Sequence, residues 1–127
     1  MPAAILICDD EPEIRAAMRR TLRGYDVTEA AAPAQAVALI KSKHFDAIVS
    51  DFAMGDERDG LDLLGHVRLM YPEMVRFLVT ANRDLDIVVR AVNEGSVHRY
   101  FAKPWHDDQL RAALDIMLRS RLAANVD

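Results

Sequence analysis

Five short apolar runs alternate with five segments of helical period, and this alternation constrains the fold more than any other feature of the chain. Ala4–Cys8, Tyr25–Ala30, Ala47–Ser50, Val75–Val79 and Arg99–Ala102 read as strands. The first helical segment places Ile14, Ala17, Met18 and Leu22 on one face and ends at Gly24. Pro33 opens a second, with Ala36, Leu39 and Ile40; a third carries Leu61, Leu64, Val67 and Tyr71 and stops at Pro72. The fourth, Asp84–Glu94, carries Ile87, Val88, Ala91 and Val92 and closes at Gly95. The last carries Leu110, Ala113, Leu114, Met117 and Leu118 and ends near Arg121. Five β-then-α units predict an α/β fold, a doubly wound parallel sheet with helices on both faces. A chain of 127 residues fits one such domain, with its core at about 4–121 and no room for an effector domain.

Strand polarity predicts the order. Strands one, three and four are nearly all apolar, as strands buried on both faces must be. Strands two and five carry Asp26, Thr28, Glu29, Arg99 and Tyr100 and read as edges. The order 2-1-3-4-5 satisfies both conditions.

In open α/β sheets, ligands bind beyond the carboxyl ends of the strands where the order reverses, here between strands one and three. Strand one runs into Asp9, Asp10 and Glu11; strand three into Asp51; strand four into Thr80; strand five into Lys103 and Pro104. Each has an ordinary reading alone. Asp9 and Asp10 could cap the first helix, with Pro12 in its first turn. Asp51 could be a turn residue, Thr80 a strand-end hydroxyl, Lys103 a solvated lysine, and Pro104 the opening of the last helix. Their joint placement on one edge carries the functional reading. Crowded carboxylates cannot all ionise cheaply, and a divalent cation removes the conflict. Magnesium suits oxygen ligands and shares its shell with phosphate. An anchored Asp beside it is a nucleophile toward phosphorus, and an ammonium can neutralise the transferring oxygens.

The remaining composition excludes several classes. A net charge of −4 argues against a phosphate-tracking nucleic-acid surface. Cys8 is the only cysteine, so no internal disulfide forms, and its apolar run predicts a buried, inert thiol. Neither a signal-peptide pattern nor an apolar run of membrane length is present, which predicts a cytoplasmic location without membrane contact. His44, His66, His98 and His106 show no spacing for zinc and read as surface residues. Trp105 reads as packing at the start of the last helix. Arg90, Arg99 and Arg111 read as ordinary solvated arginines, with a partner surface as the alternative.

The set ILICDDEPEIR, AIVSDFAM, DGLDLL, FLVTA and RYFAKPW resembles the receiver domains of two-component response regulators, from about Ala4 to Leu118. The resemblance implies a flavodoxin-like (βα)5 fold and a phosphorylation-dependent signalling role rather than an enzyme's. It implies Asp51 as phosphoacceptor. It implies magnesium, or manganese in its place, held by Asp9, Asp10, Asp51 and the backbone carbonyl of Ala53. Thr80 and Lys103 would contact the phosphoryl group, Tyr100 would be the switch aromatic, and the bond before Pro104 would be cis. The implied donor is a sensor histidine kinase or phosphotransfer domain. The implied target is an output domain or downstream protein, with a homodimer through the fourth helix, fifth strand and fifth helix as a further family option.

Two departures stand out. Gly55 follows Met54 where the family has proline, and Gly55–Asp59 is one residue longer, which implies a more flexible loop with altered metal access. Ala53 and Asn82 occupy the two positions that tune hydrolysis of the aspartyl phosphate. Three rival readings fit the residues less well. A degenerate receiver that binds partners without phosphate is opposed by the intact Asp9, Asp10, Asp51, Thr80 and Lys103. An aspartyl phosphatase wants its nucleophile after strand one with a second Asp two positions on. A flavin-binding protein wants a Ser/Thr/Gly-rich phosphate loop there.

Overall fold

The computed structural model describes residues 2–52, 59–81 and 85–124. In chain order the elements are β1 (Ala4–Cys8), α1 (Pro12–Thr21), β2 (Asp26–Ala30), α2 (Pro33–Ser42), β3 (Ala47–Ser50), α3 (Asp59–Met70), β4 (Val75–Thr80), α4 (Leu85–Asn93), β5 (Arg99–Ala102) and α5 (Asp107–Ala124). The strands form one parallel sheet in the order β2-β1-β3-β4-β5, the order that strand polarity predicts.

Alternation along each strand splits the core in two. Leu6, Cys8, Ile48 and Leu78 pack with Ala36 and Ile40 of α2, Leu63, Leu64 and Val67 of α3, and Val88 and Ala91 of α4. Ile5, Ile7, Val49, Phe77 and Val79 pack with Met18 of α1, the adjoining Leu22, and Leu110, Ala113 and Leu114 of α5. Each large apolar side chain buried this way contributes roughly 1.5–3 kcal/mol. A one-residue slip of any central strand would exchange its two faces, so packing fixes the register. Register in turn sets which residues stand at the strand ends.

Element boundaries differ from the sequence reading where turn geometry intervenes. Helix α1 stops at Thr21, before Gly24, which takes φ +95° in the turn that follows. Tyr25 donates its N–H to Leu22 O at 3.1 Å within that turn, so β2 starts at Asp26. Strand β4 extends to Thr80, opposite Ala102 of β5. Helix α4 begins at Leu85, Asp84 being outside the described residues, and Gly95 follows it at φ +77°. Helix α5 runs on to Ala124. Val92, read as a core position, is exposed because Val88 and Ala91 take the inward positions.

Three polar residues also stand where the sequence did not suggest. Arg76, inside the apolar run of β4, is buried. Its Nε donates to Ser96 O at 3.0 Å, Nη1 to Pro72 O at 3.1 Å and Met74 O at 3.0 Å, and Nη2 to Gly95 O at 3.1 Å. His98, read as a surface histidine, is half-buried. Its Nδ1 accepts the Arg76 backbone N–H at 2.9 Å, and the Arg121 guanidinium lies against its Nε2. Arg111 is bound to the turn after α1, donating to Thr21 O and Arg23 O and lying over the Tyr25 ring.

Candidate functional site

The four central and edge strands deliver their terminal residues to one place. β1 hands over to Asp9, whose N–H donates to Ala30 O of β2 at 3.1 Å. β3 hands over to Asp51, whose N–H donates to Cys8 O at 2.9 Å. β5 hands over to Lys103, whose N–H donates to Thr80 O at 3.0 Å. Parallel pairing thus continues one residue past each strand and locks the site's backbone to the sheet.

The side chains converge. Carboxylate oxygens of Asp9, Asp10 and Asp51 lie within 4.8 Å of one another. Lys103 Nζ stands 2.8 Å from Asp9 Oδ2 and 3.2 Å from Asp51 Oδ2. Asp9 Oδ1 accepts the Glu11 N–H at 2.9 Å, and Asp51 Oδ1 accepts the Phe52 N–H at 2.8 Å. Asp9, Asp51 and Thr80 are buried, whereas Asp10 is exposed. Burial pushes the Asp51 carboxyl above its ordinary range; Lys103 pulls it down and Asp9 pushes it up further. Burial disfavours the Lys103 ammonium, but the Asp9 hydrogen bond and the Asp51 charge outweigh it and hold the group charged. One ammonium between two buried carboxylates, with a third carboxylate at the mouth, leaves excess negative charge and free oxygen lone pairs. Hard oxygen donors in that number fit magnesium.

Other predicted residues fall as follows. The Lys103–Pro104 bond is cis. Tyr100 is half-buried against the α2–α3–α4 side of the core. Ala53, Asn82 and the stretch 55–58 lie outside the described residues. Trp105 packs against the α1–α5 side and its indole N–H donates to Thr21 Oγ1 at 2.9 Å and Asp107 Oδ1 at 3.1 Å.

The roles of two neighbours escaped the sequence reading. Gly60 N–H donates to Phe52 O at 2.9 Å, and a Cβ on Gly60 would stand 1.9 Å from Asp51 O. Only glycine lets α3 start this close to the Asp51 backbone. Arg15 donates from Nη1 to Asp9 O at 2.8 Å and from Nε to Glu29 Oε1 at 3.1 Å. Its four-residue spacing from Arg19, which also reaches Glu29, was the available signal, but it gains meaning only once β2 lies beside β1.

The profile of the response regulator receiver domain matches residues 5–115. The chain belongs to the receiver domain family of response regulators. Among curated proteins, this receiver is 38% identical over 119 residues to the alginate biosynthesis transcriptional regulatory protein AlgB of Pseudomonas aeruginosa, covering 92% of this chain and 26% of that protein. It is 30% identical over 125 residues to the transcriptional regulatory protein GlrR of Escherichia coli K12, covering 97% of this chain and 28% of that protein. The receiver spans about a quarter of the length of such relatives. A signal receiver domain of an HD domain-containing protein from Pseudomonas fluorescens Pf-5 superposes with a TM-score of 0.88 at 30% identity, covering 97% of this chain and 91% of that one. A CheY-like receiver from Methanospirillum hungatei JF-1 gives 0.89 at 25% identity, covering 98% and 100%. Receivers are signalling domains that bind magnesium through acidic residues, and the Asp cluster supplies such residues. Among the described residues no helix is long and apolar enough to cross a membrane.

Proposed function

We propose that this chain is a single receiver domain over 1–127 that accepts a phosphoryl group on Asp51 from a phosphohistidine of a sensor histidine kinase or phosphotransfer domain. The observation that carries the reading is Lys103 Nζ shared between Asp9 and Asp51 inside a cluster of three carboxylates. Asp9, Asp10, Asp51 and the carbonyl of Ala53 would hold magnesium or manganese. When bound, the ion neutralises the crowded carboxylates and the oxygens of the transferring group.

The chain's own groups do the rest. Phe52 N–H and Lys103 fix the Asp51 carboxylate, so an oxygen is presented without a search. That oxygen bonds to phosphorus as the P–N bond breaks; the bonding pair stays on the ring nitrogen, and because the donor's other ring nitrogen carries a proton, the imidazole leaves neutral. Lys103 offsets the charge of the phosphoryl oxygens. The Thr80 hydroxyl then donates to the phosphoryl group, and Tyr100 moves inward behind it. Those contacts exist only in the phosphorylated state and bias the face of α4, β5 and α5. Val89 and Val92 are 53% and 41% exposed on α4 and offer that face apolar surface for a partner, an output domain or a second copy. Ala53 offers no side-chain group to orient a water; it and Asn82 set the lifetime of the adduct.

Intact mass after incubation with acetyl phosphate tests the reading. One phosphoryl adduct is expected with magnesium, and none without it or in Asp51→Ala. No adduct in the wild type, and no binding of a fluoroberyllate mimic, would favour a degenerate receiver that binds partners without phosphate.

A further inference from the structure

The turn between β1 and α1 is held from outside by a side chain with no part in the chemistry above. The Asp9 carbonyl belongs to the peptide unit that joins Asp9 to Asp10. It accepts Arg15 Nη1 at 2.8 Å. The Arg15 guanidinium is itself fixed, with Nε on Glu29 Oε1 at 3.1 Å, while the other Glu29 oxygen accepts Arg19 Nε at 2.7 Å. Arg19 also reaches Val27 O, so Arg15 and Arg19 of α1 are both tied to β2.

This brace bears on Asp10. The Asp9 side chain is committed to Glu11 N–H and Lys103, and its N–H to Ala30 O. Asp10 is exposed, and the direction of its side chain depends on the plane of the peptide before it. Arg15 fixes that plane. Without Arg15 the plane can rotate and swing the Asp10 carboxylate away from Asp9 and Asp51.

We propose that Arg15, braced by Glu29, is a positioning residue of the divalent-cation site and sets its affinity by fixing the Asp9–Asp10 peptide plane. This rests on the phosphoacceptor reading, which supplies the cation. The sign of the effect is diagnostic. Removing a positive charge near a cation site tightens binding through charge alone. Loss of positioning weakens it, by about tenfold where a group supporting a metal ligand is removed.

Magnesium chloride titrations of the full chain, followed by backbone amide NMR shifts at constant ionic strength, decide the matter. The wild type should saturate, Asp10→Asn should lose most of its affinity, and Arg15→Met should weaken about tenfold. Arg15→Lys keeps the charge but cannot bridge both oxygens, so it should weaken as well, and it serves if Arg15→Met folds poorly. At saturating magnesium, the acetyl phosphate rate of either variant should return close to the wild-type rate. Unchanged or tighter binding in folded Arg15 variants would overturn the positioning role while leaving the phosphoacceptor reading intact. No saturable shift in the wild type would overturn both.

Discussion

Asp51, just past β3, and Arg76, near the start of neighbouring β4, are buried to the same degree, 6% and 5% exposed, at opposite ends of the sheet. Their surroundings differ in kind. Arg76 lies just beyond the ends of α3 and α4 and donates to four backbone carbonyls of the turns that follow those helices, Pro72, Met74, Gly95 and Ser96. Its charge is met by fixed dipoles, although burial, with Arg121 and Arg68 nearby, pulls its pKa below the ordinary value. Asp51 lies where β1 and β3 end and shares one ammonium with Asp9. Its charge is met incompletely. A fully satisfied buried charge staples loops together; a partly satisfied one keeps a demand that a cation or phosphoryl group can meet.

The largest test of this contrast removes the satisfied charge. Arg76→Met leaves four carbonyls without their donor and should cost roughly 2–4 kcal/mol in urea unfolding. A loss below the surface-residue scale of about 0.5 kcal/mol would erase the contrast.

Next comes acid. Burial, with Arg76 and Arg121 adding repulsion, lowers the His98 pKa from 6.5 to about 4. The ring is neutral in the folded chain and protonates more readily unfolded. Its contribution is therefore present above pH 6.5 and is lost as pH falls toward 4. Relative to His98→Asn, the wild type should lose roughly 2 kcal/mol over that window, discounted for partial exposure. Parallel pH profiles would mean that neither burial nor its cationic neighbours shift the His98 pKa.

The smallest effect has the opposite sign. Ionised Asp51 is disfavoured by burial, so Asp51→Asn should raise stability by roughly 0.5–2 kcal/mol at neutral pH without divalent cations. Adding magnesium should then raise the melting temperature of the wild type and leave the variant behind. A destabilised Asp51→Asn would place Asp51 in the same satisfied class as Arg76.

These two ends were not equally legible in the sequence. The sheet was, because β1, β3 and β4 must be apolar on both faces and β2 and β5 need not be. The carboxylate edge was, because Asp9, Asp10, Asp51, Thr80 and Lys103 each stand at or just past a strand end, where topology alone brings them together. Arg76 was hidden in an apolar run, and His98 looked like any polar residue before a strand. Their partners are backbone carbonyls, an amide and Arg121, brought close only by the finished fold, and carbonyls have no sequence signature. Arg111 misled for the same reason: its partners are the carbonyls of Thr21 and Arg23. Gly60 stands within the DGLDLL motif, but the missing room beside Asp51 O emerges only from α3 docking.

The fate of Cys8 has a practical side. The only thiol in the chain is fully buried, and burial, with Asp9 and Asp51 adding to it, raises its pKa to about 12. Since the thiolate is the reactive form, the native residue should ignore maleimide reagents at neutral pH. A cysteine introduced at exposed Val89 would therefore take a spin label or dye selectively with Cys8 left in place. The wild-type background is ready-made for testing whether α4 moves on phosphorylation.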